Sequence, residues 1–61
     1  MNEGGQFRFK VGDRVTVTYE SGTVTHGRVL ARKIEPALGK TYQVRDRKGR
    51  SLGYLPEALL S

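Results

Sequence analysis

The chain has 61 residues, no cysteine and a single histidine, and its eleven Lys/Arg against six Asp/Glu give a formal net charge of +5. That makes one small domain and excludes a disulfide, a thiolate metal site and, within one chain, a multi-histidine metal site. A core of this size seldom supplies more than roughly 3–5 kcal/mol, so self-association or a bound partner is the outside support left to it.

No apolar run approaches the roughly 18 residues that span a bilayer. Residues 1–6, Met-Asn-Glu-Gly-Gly-Gln, lack the basic and apolar regions of a secretory signal, and the segment reads as a disordered tail before a domain over residues 7–61. No membrane role is expected. The initiator Met1 fits a complete small cytoplasmic protein, with a domain cut from a longer chain as the alternative.

Phe7 and Phe9 alternate with Arg8 and Lys10, the period of two found where a chain begins to lie on a sheet. Phe9 is expected as a hydrophobic pin, with an exposed stacking aromatic as the alternative. Val11-Gly12-Asp13 reads as a turn, its glycine free to take a positive backbone angle and its aspartate placed to bond nearby amides. Val15 to Tyr19 is the clearest strand, with Val15, Val17 and Tyr19 on one face and Thr16 and Thr18 on the other. Glu20-Ser21-Gly22 is a turn.

Thr23 to Ile34 is a long β-branched stretch interrupted by Gly27, read as a bulge or sharp bend that lets one strand serve two sheets. Val29 and Ala31 are expected inward, Arg28 and Arg32 outward, and His26 at the rim. Glu35 to Lys40 is a loop marked by Pro36 and Gly39, with Leu38 capping the core. Tyr42 and Val44 resume the inward alternation while Gln43 and Arg45 face out. A turn at Lys48-Gly49 leads into an antiparallel strand from Ser51 to Leu55. Pro56-Glu57-Ala58 reads as one short 3-10 turn, proline first and an acid near its positive end. Leu59-Leu60 would then pair back with the first strand and close the structure. Five short strands and no long 3.6-period segment predict an all-β, five-stranded small barrel with a 3-10 turn before its last strand.

The positive charge is concentrated. Residues 28–50 hold Arg28, Arg32, Lys33, Lys40, Arg45, Arg47, Lys48 and Arg50 against only Glu35 and Asp46, whereas the remaining residues hold a slight acidic excess. Such local excess is the electrostatic footprint of a surface for nucleic acid or another polyanion. A solubilising surface is the plainer alternative. Those eight cations are the candidate binding residues. Tyr42 and Tyr54 are candidates to stack on bases, but their period places them inward, where core packing is the expected role.

Phe9-Lys-Val-Gly-Asp-Arg-Val15, Gly27-Arg-Val29 and Tyr54-Leu-Pro-Glu-Ala-Leu59 together resemble the SH3-like barrel superfamily, in particular its Tudor-like and KOW-like modules. From about Phe9 to Leu60 the chain is also similar to the plasmid-borne type B, trimethoprim-insensitive dihydrofolate reductases. The shared residues are Gly12 to Val15, Gly27, the Pro36 loop, Tyr42, Val44, Tyr54 and Ala58-Leu59. That resemblance implies a pore between four chains lined by Val-Gln-Ile-Tyr, with a first-strand lysine binding anionic parts of cofactor and substrate. In this chain the glutamine position falls on Leu52, the isoleucine position on Gly53 and the lysine position on Val17, and only Tyr54 is kept.

General acid–base or nucleophilic chemistry needs a paired constellation. His26 has no cysteine partner, Ser21 lies across a turn, and Glu35, Asp46 and Glu57 are scattered among cations. The expectation is a non-catalytic binding module without a cofactor. Nucleic acid is the favoured partner, bound weakly and with tolerance of sequence; a protein partner or a homo-oligomer is the alternative.

Overall fold

The computed structural model describes residues 7–61, so the expected disordered tail lies outside the described residues. The chain is all-β. Strands β1 (Arg14–Thr18), β2 (Val24–Glu35), β3 (Gly39–Asp46) and β4 (Ser51–Pro56) form one antiparallel sheet in the order β1-β2-β3-β4, followed by a 3-10 turn over Glu57–Leu59. Each strand pairs with the next, so three hairpins build the whole sheet.

Strand β1 shows the simplest physics. Val15 and Val17 are buried while Arg14 and Thr18 are exposed, the alternation of a strand with one face on a core. The turn before it is closed twice over: the Asp13 amide donates to the Lys10 carbonyl at 3.0 Å, and the Lys10 amide donates to the Asp13 carboxylate at 2.9 Å. Gly12, third in that turn, has φ of +96°, which a side chain would strain. The core gathers Val15, Val17, Val29, Tyr42, Val44, Leu55 and Leu60, with Phe7, Phe9, Tyr19, Leu52 and Leu59 packed at its margin.

Several sequence expectations shift. The bulge in β2 lies at Leu30, where Val29 pairs with Val44 and Ala31 with Gln43, and not at Gly27, which stays in regular register with Val15 and Asp46. Gly27 answers a different need: a Cβ there would lie 2.4 Å from the Arg45 carbonyl oxygen. The expected loop from Glu35 to Lys40 shrinks to Pro36-Ala37-Leu38, since Glu35 already pairs with Gly39. Leu38 does not cap the core but stands 57% exposed.

In place of a fifth strand there is one bridge, Val17 with Leu60, flanked by reciprocal 2.9 Å bonds between the backbones of Thr16 and Ser61. These bonds dock the C-terminal residues on the free edge of β1. The four named strands themselves form an open sheet.

Candidate nucleic-acid interface

Residues directly opposite in a sheet share a face, and residues two apart on a strand return to it. Val44 is buried, so its neighbours Gln43 and Arg45 point away from the core. Arg45 pairs with Arg28, and Arg28 pairs with Arg14. Gln43 pairs with Tyr54 on one side and Ala31 on the other. The outer face therefore carries a row of three arginines across β1, β2 and β3, and a tyrosine farther along on β4. At about 4.8 Å between strands, the row spans roughly 10 Å.

Like charges directly opposite one another destabilise a sheet, and this row stacks three. Among the described residues the ion pairs are Lys33–Glu35 at 2.8 Å and Arg50–Asp46 at 3.5 Å, so Arg14, Arg28 and Arg45 hold none. Beside the row is a groove of about 870 Å³ whose polar lining includes Arg14, Thr16, His26, Arg28, Arg45 and Arg47. The Thr16 hydroxyl lies 3.2 Å from His26 Nδ1 on the groove wall. Asp46 also lines the groove, but its carboxylate is engaged by the amides of Arg50 at 2.8 Å and Lys48 at 2.9 Å. The Arg50 amide leads in holding the Asp46 carboxyl below its ordinary range, with the Lys48 amide and the Arg50 charge adding to it. Asp46 thus shapes the hairpin tip.

The eight expected binding residues divide. Arg28, Arg45 and Arg47 line the groove. Lys48 and Arg50 stand exposed at the adjoining tip, Arg50 paired with Asp46. Arg32 is turned to the N-terminal segment, its guanidinium 4.9 Å from the Phe7 ring centroid and donating to the Phe9 carbonyl at 3.2 Å. Lys33 lies 5.1 Å from the Tyr54 ring centroid and is paired with Glu35, whose hydrogen bond and charge raise the ammonium's pKa. Lys40 is half-buried, and its charge reaches Glu57.

Sequence reasoning missed one member of the face, Arg14, and turned another, Tyr54, inward. Arg14 belongs to the row although it lies outside the cationic stretch, because only strand register brings it opposite Arg28. Tyr54, expected inward, is 40% exposed and takes no part in the core cluster. The cause is an extra residue in β4: Arg45 pairs with Ser51 but Gln43 with Tyr54, and Gly53 within that bulge has φ of +79°. The alternation slips there, so Leu55 goes in and Tyr54 goes out.

Tyr42, by contrast, is fully buried. Phe7 and Phe9 meet its ring edge-on at 5.6 and 5.5 Å. Its hydroxyl donates to Glu57 and accepts from the Arg8 amide at 2.9 Å. Burial, and then the bond to Glu57, push the Tyr42 phenol above its ordinary pKa. Burial alone would raise the Glu57 carboxyl, but the Tyr42 hydroxyl, the Arg8 amide and the charges of Lys40 and Arg8 outweigh it and hold it low. This cluster straps the N-terminal segment across the core.

Among the described residues no three His, Asp or Glu side chains cluster to hold a metal, and no helix is long and apolar enough to cross a membrane. The outer face presents cations at strand spacing beside an open groove, which suits a chain of regularly placed anions. Comparison with known protein families, curated proteins and solved structures yields no match.

Proposed function

We propose that this chain is a small non-catalytic binding module whose ligand is nucleic acid, held by its phosphates on the Arg14–Arg28–Arg45 row and its groove. The observation that carries the reading is the row itself: three directly opposed arginines with no carboxylate among the described residues to pair with them. Such an arrangement costs folding energy, and a polyanion relieves it while releasing counterions. A merely solubilising surface would interleave the signs of charge.

The architecture is read as an SH3-like barrel of the Tudor or KOW kind. What supports this is the four-strand meander, the 3-10 turn and the return of Leu60 to Val17, where a fifth strand would sit. The relation to type B dihydrofolate reductases is then one of scaffold. Leu52 and Gly53 offer no side-chain amide where that family uses glutamine, so a cofactor-dependent absorbance assay with dihydrofolate is expected to show no turnover.

The test is an NMR titration with short DNA and RNA, single- and double-stranded, at two salt concentrations. Shifts centred on Arg14, Thr16, His26, Arg28, Arg45 and Arg47, weakening at least about tenfold between about 50 and 200 mM salt, are expected if several phosphates are contacted. Salt-insensitive binding, or none at low salt, rejects the reading.

One observation favours a second reading, a protein-interaction or homo-oligomerising module. Ile34 and Leu38 are each 57% exposed and share a groove of about 360 Å³ with Pro56 and Ala58. Concentration-dependent sedimentation in the absence of nucleic acid would support that surface instead.

A further inference from the structure

We propose that the ligand is single-stranded and that Tyr54 is its base-stacking platform, at the end of a path that crosses the sheet from the arginine row. The proposal rests on the nucleic-acid reading above and deepens it. Three observations define the path. Arg14, Arg28 and Arg45 lie in one line across three strands. Gln43, two residues from Arg45 on the same face, pairs with Tyr54 on β4. Among the described residues Tyr54 is the only aromatic side chain that stands exposed, and it lies outside the core cluster.

The step from Arg45 to Tyr54 is two residues along a strand and one strand across, roughly 8 Å between Cα positions. A single strand whose phosphates follow the arginines can therefore bring a nearby base onto the Tyr54 ring. Only an unpaired base can do so, since a duplex keeps its base faces stacked inside. Stacking tolerates any base, so the site grips without reading sequence.

Lys33 completes the platform. Its ammonium lies 5.1 Å from the Tyr54 ring centroid and is held by Glu35 in an exposed pair. Exposed pairs contribute little, so Lys33 is free to exchange Glu35 for a phosphate next to the stacked base. The bulge at Gly53 positions the platform. By shifting the alternation of β4 it places Tyr54 on the arginine face and leaves Leu55 in the core.

The experiment measures fluorescence anisotropy of a labelled oligothymidine strand and a labelled blunt-ended, loop-free duplex of equal charge at low salt. It compares the unaltered chain with Tyr54→Ala, Tyr54→Phe and Arg28→Gln. Because Tyr54 stands outside the core, both Tyr54 variants are expected to fold, which circular dichroism checks. Tyr54→Ala is expected to weaken single-strand binding by about 5- to 100-fold, Tyr54→Phe to stay within about twofold, and duplex binding to be the same in both. Equal single-strand affinity for Tyr54→Ala, an equal loss on the duplex, or a preference of the unaltered chain for duplex would overturn the proposal. In each of those cases a loss on Arg28→Gln would leave the broader nucleic-acid reading standing. No binding to either probe rejects both.

Discussion

Replacing Gly27 by alanine tests the packing that brings the arginine row together. The added Cβ would lie 2.4 Å from the Arg45 carbonyl oxygen and 2.7 Å from Val44 Cγ1. Neither neighbour can step aside cheaply: the first is backbone, and the second belongs to a fully buried side chain. Strands β2 and β3 must separate, and overpacking of this kind costs about 1–3 kcal/mol. Alanine restricts the unfolded chain and returns about 0.4–1 kcal/mol. The clash wins, leaving a net loss of about 1–2 kcal/mol, a large share of what so small a core supplies. At about 4–8 °C per kcal/mol for a domain of this size, Tm is expected to fall by about 5–15 °C. Thermal unfolding followed by circular dichroism reads this directly. A Gly27→Ala variant within about 0.5 kcal/mol of the unaltered protein would refute the close approach and the register that depends on it.

The other expected outcomes concern charge and the N-terminal strap. Arg28→Gln removes the central member of the row and relieves like-charge contact on both sides; it should raise stability by about 0.2–1 kcal/mol at low salt while weakening nucleic-acid binding, measured by thermal unfolding and anisotropy on one preparation. Tyr42→Phe strips the hydroxyl that serves both Glu57 and the Arg8 amide, so it should cost about 1–3 kcal/mol and hasten proteolysis near Phe7–Lys10. The carboxyls of Glu57 and Asp46 are held low in the fold, so the stability they confer is complete above about pH 5 and is lost as pH falls through their folded values. Tyr42 is raised, so its contribution is complete below about pH 10 and is lost as pH climbs through the raised value. Urea unfolding across pH should show both flanks, and Glu57→Gln should flatten the acid one.

Much of the fold was legible because simple alternation holds in β1 and in the Tyr42-Gln43-Val44-Arg45 run of β3. The turns at Gly12-Asp13 and Lys48-Gly49 were equally readable, although Asp46, which closes the second by accepting from the Lys48 and Arg50 amides, was not singled out. What misled was every place where a bulge breaks the period. Leu30 adds a residue to β2 and Gly53 to β4, and nothing in a single strand announces that its partner runs one residue short. Tyr54 was therefore placed inward. Gly27 drew the bend that belongs to Leu30, because its reason for being glycine lies on another strand. Leu38 is expected to cap the core, but its loop turns within three residues and leaves it outside.

The candidate face was half legible. Charge concentration pointed to Arg28, Arg45 and Arg47, which line the groove. It also gathered Arg32 and Lys40, whose neighbours are Phe7 and Glu57 within the chain, and Lys33, which lies beside Tyr54 and pairs with Glu35. Arg14 could not be found by counting, since it enters the row through long-range pairing with Arg28.

Whether the arginine row holds phosphates is read from the salt dependence of single-strand affinity for the unaltered chain and for the triple variant Arg14→Gln, Arg28→Gln, Arg45→Gln. Each phosphate neutralised contributes about −0.7 to the slope of log affinity against log salt. If the row is the phosphate site, the triple variant should have a slope shallower by about 2 and a much weaker affinity at low salt. An unchanged slope and affinity would show that these three arginines do not hold the phosphates.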